Sequence, residues 1–212
     1  MRADAQRNRR LLLGAAGALF IEAGLQVSLA AVARRAGVSI ATLYRHFPDR
    51  RSLVIAVAAD VMARTRAEAR AALAEETDAF VALRRYMHRT LDVGAPALMP
   101  LLDEEVRSLP EVKTLLNSTA AAQRRLLREA EQQGSLRAGV EFADVGLVLA
   151  RFSRPIGGGF DPALEQGVAH RHLEIFIDGL REHGQPPLEG QAPTLRELRG
   201  MRRRSRAAPA KR

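Results

Sequence analysis

Two arginines, Arg50 and Arg51, follow Pro48 and Asp49 at a point where a new helix should begin. A helix N-terminus carries partial positive charge and attracts anions, so guanidinium groups placed there suggest an anion from another molecule to join them. The residues just before them add donors: Ser39, Thr42, Tyr44, Arg45 and His46 bring hydroxyl, guanidinium and imidazole groups into one short span. Phosphate oxygens suit such donors. No comparable cluster points to catalysis. Glu104 and Glu105 are adjacent, so their side chains diverge on a helix, and no Ser/His/Asp arrangement stands out. The chain has no cysteine, which removes disulfides, thiolate metal sites and a thiol nucleophile. His170 and His172 are two apart and fall on different helix faces, and His88 and His183 are isolated. No catalytic residue, metal or cofactor is therefore expected, and the protein is read as a binding protein, not an enzyme.

Charge placement supports a polyanionic partner. The net charge of +9 is segregated: residues 1–53 carry +6, residues 54–185 carry −3 and residues 186–212 carry +6. Basic ends beside phosphates gain from counterion release, whereas a merely soluble chain needs no such segregation. No apolar run is long enough to span a bilayer. Basic residues precede an apolar stretch at the N-terminus, as in a signal peptide, but Glu22 interrupts it and the apolar positions recur at helical spacing. A cytoplasmic location without membrane association is expected.

The elements that must position these groups are helical. Hydrophobic residues make up 47% of the 212 residues and aromatics 4%, with Ala and Leu dominant. Leu12, Ala16, Leu19, Phe20 and Ala23 share one face, which predicts a helix over 8–23 stopped by Gly24. Ser28 caps a helix over 29–35, Ser39 one over 40–46, and Asp49 a long one over 50–75. Phe47 ends the third because Pro48 follows it. Further helices are expected over 78–93, 96–107, 111–133, 142–154 and 162–183, about nine in all, with no strand. The fold class is all-α.

Two short helices joined by a turn containing Gly37 form a helix-turn-helix, in which Ala33 must be small and Val38, Leu43 and Phe47 anchor the pair. The whole run "FIEAGLQVSLAAVARRAGVSIATLYRHFPDRRSL" resembles the DNA-binding domain of the TetR family of bacterial transcriptional regulators, over about residues 8–56. The resemblance implies a homodimer that reads a palindromic double-stranded DNA operator and, acting as a repressor, releases it when a small-molecule effector binds a helical second domain. It places Thr42 and Tyr44 on phosphates, with Ser28, Ser39 and His46 as further contacts. It puts Ile40 and Ala41 at base-facing positions, where thymine methyls are their natural partners, unless Ile40 packs inward with Leu43 and Phe47. Arg45 is long enough to reach guanine or phosphate. The resemblance also sets the start of the fourth helix against the DNA backbone, where Arg50 would meet a phosphate. Arg51 stands where the family usually has an acid. Arg2, Arg7, Arg9 and Arg10 form either a minor-groove arm or a solvated one. The alternative function is a ligand-independent architectural DNA-binding protein.

The implied organisation is a helix-turn-helix domain over 1–53, a ligand-binding and dimerisation domain over 54–184, and a basic, mostly disordered tail over 185–212. Candidate effector contacts are Met62, Phe80, Tyr86, Met87, Met99, Leu116 and Asn117, where methionines adapt to irregular ligands and Tyr86 and Asn117 supply polarity. Each of these also reads as plain core. The last two helices are too apolar to leave bare, so Leu164, Val168, Ile175 and Leu180 are candidates for the dimer interface.

Overall fold

The computed structural model of the chain describes residues 2–156, 161–186 and 188–193. Three helices, α1 (Arg2–Ala23), α2 (Leu29–Arg35) and α3 (Ile40–His46), lead into α4 (Arg50–Glu75), which runs for 26 residues. Side-chain oxygens start them. Ser28 Oγ accepts from the Ala31 amide, Ser39 Oγ from the Thr42 amide, and the Asp49 carboxylate from the Ser52 amide, while Ser52 Oγ accepts from the Asp49 amide to complete a capping box. Then come α5 (Ala79–Val93), α6 (Ala95–Leu98), a 3-10 turn (Met99–Leu101), α7 (Glu104–Ser108), α8 (Pro110–Gln132), α9 (Phe142–Phe152) and α10 (Pro162–Leu180). Among the described residues there are ten α-helices and no strand beyond one isolated antiparallel bridge, Leu136 with Arg181.

Three boundaries differ from expectation. Helix α1 begins at Arg2, so residues 2–7 continue the helix instead of forming an extended arm. Arg7 and Arg10 are exposed on it, and the Arg9 guanidinium lies 5.2 Å from the centre of the Phe47 ring. The single helix expected over 96–107 is broken in two. Pro100 brings no amide donor to the 3-10 turn, Leu102 adopts extended backbone (φ −62°, ψ 133°), and Asp103 caps a fresh start by accepting from the Val106 amide. Arg107 turns back to donate to the carbonyls of Leu102 (2.9 Å) and Met99, which the break exposes. Finally, α10 stops at Leu180 because the chain turns to pair with the loop after α8. The Arg137 amide donates to the Leu180 carbonyl (2.8 Å) and the Glu182 amide to that of Ser135 (3.0 Å). Of the expected tail, residues 187 and 194–212 lie outside the described residues, as do 157–160 of the glycine-rich turn.

Buried side chains gather in two cores. The first joins Leu12, Phe20, Val32, Leu43, Leu53 and Val57 and continues into Leu98, Leu102, Val106 and Val112 of the later helices. The second is built from Phe80, Leu83, Tyr86, Leu126, Leu149 and Leu173. Helix α4 serves both. It gives Leu53 to Met62 to the first core, and to the second it gives buried Ala69 and Ala72 with Leu73 packed beside them, where the small side chains let it lie close along α5 and α8.

Gly94 joins α5 to α6 in the left-handed region at φ +76°, and a Cβ added there would stand 2.8 Å from Ile21 Cδ1 of α1. The Ile21 terminus can swing aside, but the backbone angle cannot be relieved. Gly94→Ala is expected to lower stability by about 1–2 kcal/mol. The measurement is a lower urea midpoint of the full chain at unchanged slope.

Candidate nucleic-acid interface and effector cavity

The helix-turn-helix is held by its inner face. Val32, Ala33, Leu43 and Phe47 are each at most 2% exposed, so α2 and α3 cross over a dry contact. Between them Gly37 takes φ +69°, and the Val38 amide donates to the Ala33 carbonyl at 3.0 Å. With Leu43 facing in, Ile40, Ala41, Tyr44 and Arg45 face out. Ile40 is 41% and Tyr44 50% exposed, which settles the alternative in which Ile40 packs inward. Ser39 and Thr42 share a hydroxyl hydrogen bond of 2.9 Å at the head of α3. Ser28 is exposed at the head of α2, so the capping hydroxyls of both short helices stand on the surface. His46 is half-buried, its ring tilted against that of Phe47.

The two arginines at the start of α4 have partners inside the chain. The Arg50 guanidinium donates to the Leu25 carbonyl (2.8 Å) and to that of Val27, clamping the α1–α2 loop. The phosphate expected at Arg50 would share its guanidinium with these two carbonyls. These carbonyls of the α1–α2 loop turn toward the guanidinium and supply negative potential from within the chain. Arg51 pairs with Glu105 of α7 at 2.7 Å, with both side chains largely exposed. Asp49 offsets the positive end of the helix as well. Its carboxyl is held below the usual range by hydrogen bonds from the Ser52 amide and hydroxyl, with a smaller contribution from Arg51.

A cavity of about 270 Å³ opens between α4, α5, α8 and α9, with α6 and the 3-10 turn along one side. Of the candidate effector contacts it brings together Met62, Met99, Leu116 and Asn117. Phe80, Tyr86 and Met87 are not on its wall. They occupy the buried face of α5, each at most 1% exposed, and belong to the second core. Tyr86 reaches the cavity indirectly, because its hydroxyl accepts from the Gln123 amide and Gln123 is on the wall. Burial pushes the Tyr86 phenol up to about 12, so it acts as a neutral hydrogen-bonding group. Sequence reasoning missed Thr90, Gln123 and Arg124. The available signal was polarity on helix faces that otherwise bury apolar residues.

On α10, Leu164 and Ile175 are 55% and 63% exposed and Val168 is half-buried on the same face. Leu180 is corrected. Together with Leu173 and Ile177 it lies on the opposite, inner face and is only 5% exposed. His88 is not isolated either. Its Nδ1 lies 2.7 Å from His170 Nδ1, the two rings stack at 5.0 Å, and His88 Nε2 is 2.6 Å from Glu174. Burial pushes the His88 imidazole below its ordinary value, against the pull of Glu174, and Arg84 holds the Glu174 carboxyl low. Among the described residues no group of three or more His, Asp or Glu side chains is placed to hold a metal.

A family model described as bacterial regulatory proteins, tetR family, matches residues 12–57. The TetR transcription regulatory protein from Mycobacterium vanbaalenii is 34% identical, over 85% of this chain and 99% of its own, with a TM-score of 0.57. The chain belongs to the TetR family. A TetR transcriptional regulator from Streptomyces coelicolor is 29% identical, over 83% of this chain and 99% of its own, with a TM-score of 0.61. The TetR-like regulator LfrR from Mycobacterium smegmatis, solved in complex with proflavine, shares the fold at 21% identity and a TM-score of 0.60, over 80% and 95% of the two chains. Comparison with curated proteins gives no significant match. This TetR-family protein is thus a DNA-binding transcriptional regulator. Among the described residues no helix is long and apolar enough to cross a membrane.

The clamp can be separated from the exposed ion pair. Arg50→Ala should cost about 1–3 kcal/mol, because two loop carbonyls lose a charged donor. Arg51→Ala should cost less than about 1 kcal/mol, as exposed pairs do. Urea unfolding of both variants checks the difference, and equal losses would remove the clamp assignment.

Proposed function

We propose that this TetR-family regulator is a repressor that binds a palindromic operator as a homodimer and releases it when a small molecule fills the cavity. The observation that carries the reading is the course of α4. Its first turn, at Arg50, holds the loop behind the helix-turn-helix, and its middle, at Met62 and Thr65, forms part of the cavity wall. A molecule seated beside Met62 presses on the same rod that orients α3. The Arg51–Glu105 pair adds a second link, because α7 follows closely on the 3-10 turn bordering the cavity. An architectural DNA-binding protein has no need of such a cavity.

On this reading Thr42 and Tyr44, with Ser28, Ser39 and His46, take phosphates and set register. Ile40 and Ala41 meet thymine methyls, and Arg45 reaches guanine or phosphate. Arg50 acts from behind the interface by fixing the loop. Leu164, Val168 and Ile175 pack against the same face of a second copy, which spaces the two recognition helices along the duplex. The protein binds and releases ligands without turning them over, and it works in the cytoplasm, where it meets its operator.

Selection from random duplexes by the purified protein should return a two-fold symmetric site, and an asymmetric site would overturn the reading. Tyr44→Ala should weaken selected and unrelated DNA to a similar degree, while Arg45→Ala should relax preference at one position per half-site, at about 1–3 kcal/mol. Ile175→Arg should sediment as a monomer and lose operator affinity, because paired half-sites need paired readers. A tightly binding monomer would refute the assembly.

A further inference from the structure

The charged groups of the cavity are of one sign. Its wall carries two guanidiniums, Arg107 and Arg124, and no aspartate or glutamate. Arg107 is turned onto the Met99 and Leu102 carbonyls. Arg124 is half-buried, with its guanidinium 5.3 Å from the centre of the Phe142 ring. Glu141 borders a surface groove beside the same Arg124 and does not ion-pair with it. Deeper in, Thr90 is 1% exposed, and its hydroxyl lies beside the Tyr86 phenol without reaching full hydrogen-bonding geometry. A buried hydroxyl left in that state is costly unless a ligand completes it. The hydroxyls of Thr65 and Thr119 already donate to the Val61 and Met62 carbonyls. What remains for a ligand at Thr90 and Arg124 is hydrogen-bond donation and positive charge.

The rest of the wall is apolar, with Met62, Met99, Leu116, Phe142 and Leu147 around the space. Gly146, in the middle of α9, also lines it. A Cβ built at Gly146 meets nothing within 4 Å, so the missing side chain leaves open volume where α9 faces the cavity. At about 270 Å³ the space is near the lower end of ligand pockets, roughly 300–1,000 Å³.

We infer that the cavity takes a small carboxylate with an apolar body, the carboxylate held by Arg124 and the Thr90 hydroxyl and the body lying along Gly146 and the methionines. This rests on the effector reading for its biological meaning, but not for the binding itself. An ammonium on the same body meets the Arg124 guanidinium and no carboxylate on the cavity wall, so like-charge repulsion disfavours it.

Three probes with one body test it: octanoate, octanol and octylammonium. Binding is measured by titration calorimetry on the full-length protein without DNA, and operator release separately by fluorescence anisotropy. Octanoate should bind at least about tenfold more tightly than octylammonium, as expected when a charge-assisted pair replaces a repulsion. Arg124→Gln should erase that preference while leaving octanol binding unchanged. Gly146→Leu should fill the space and abolish binding of all three. Equal or better binding of octylammonium, retention of the octanoate preference in Arg124→Gln, or no binding by any of the three overturns the inference. Octanoate that binds in the expected pattern without releasing DNA leaves it standing and removes the effector reading instead.

Discussion

Helix α4 is buried along its length by two different sets of neighbours, and the other elements take their places from that. A helix rises about 1.5 Å per residue, so 26 residues make a stiff rod of about 39 Å. Its first half carries Leu53, Val57 and Met62 into the core under the helix-turn-helix, and its second half buries alanines between α5 and α8. Such a rod cannot flex locally to suit one end without the other sensing it, because close-packed cores resist small displacements. The position of α3 and the shape of the cavity are thus two readouts of one element's placement.

Much of this was legible in the sequence. Ser28, Ser39 and Asp49 are short polar side chains just ahead of apolar runs, and each starts a helix because its oxygen has an amide within reach three residues on. Gly37 and the small Ala33 marked the turn for similarly local reasons. Local rules stopped working where a distant partner decided. Arg50 looked like a cation awaiting an anion, because nothing near it in sequence shows that the Leu25 and Val27 carbonyls fold back to meet it. The apolar character of the last helix put Leu180 among the dimer-interface candidates, yet it lies on the face shared with Leu173 and Ile177. Tyr86 had the right chemistry for a pocket, but it reaches the wall through its neighbours, Gln123 and Thr90.

The break at Pro100 has its own logic. An unbroken helix over 96–107 would run straight past the cavity. Split there, the chain presents carbonyls that Arg107 gathers, and α7 is set at a new angle with Glu105 within reach of Arg51. A proline costs a helix one amide donor, and here that loss produces a corner.

The pairing of cations near the DNA-binding surface changes what its formal charge means. Residues 1–53 carry nine basic side chains, but Arg35 is bound to Glu22, Arg51 to Glu105, Arg50 to loop carbonyls and Arg9 to the Phe47 ring. Ions released on binding reflect only charges that trade solvent for phosphate. A salt titration of DNA affinity therefore counts far fewer ions than the composition implies. At high ionic strength it also weakens the exposed Arg51–Glu105 pair, so part of its slope belongs to the protein and not to the duplex.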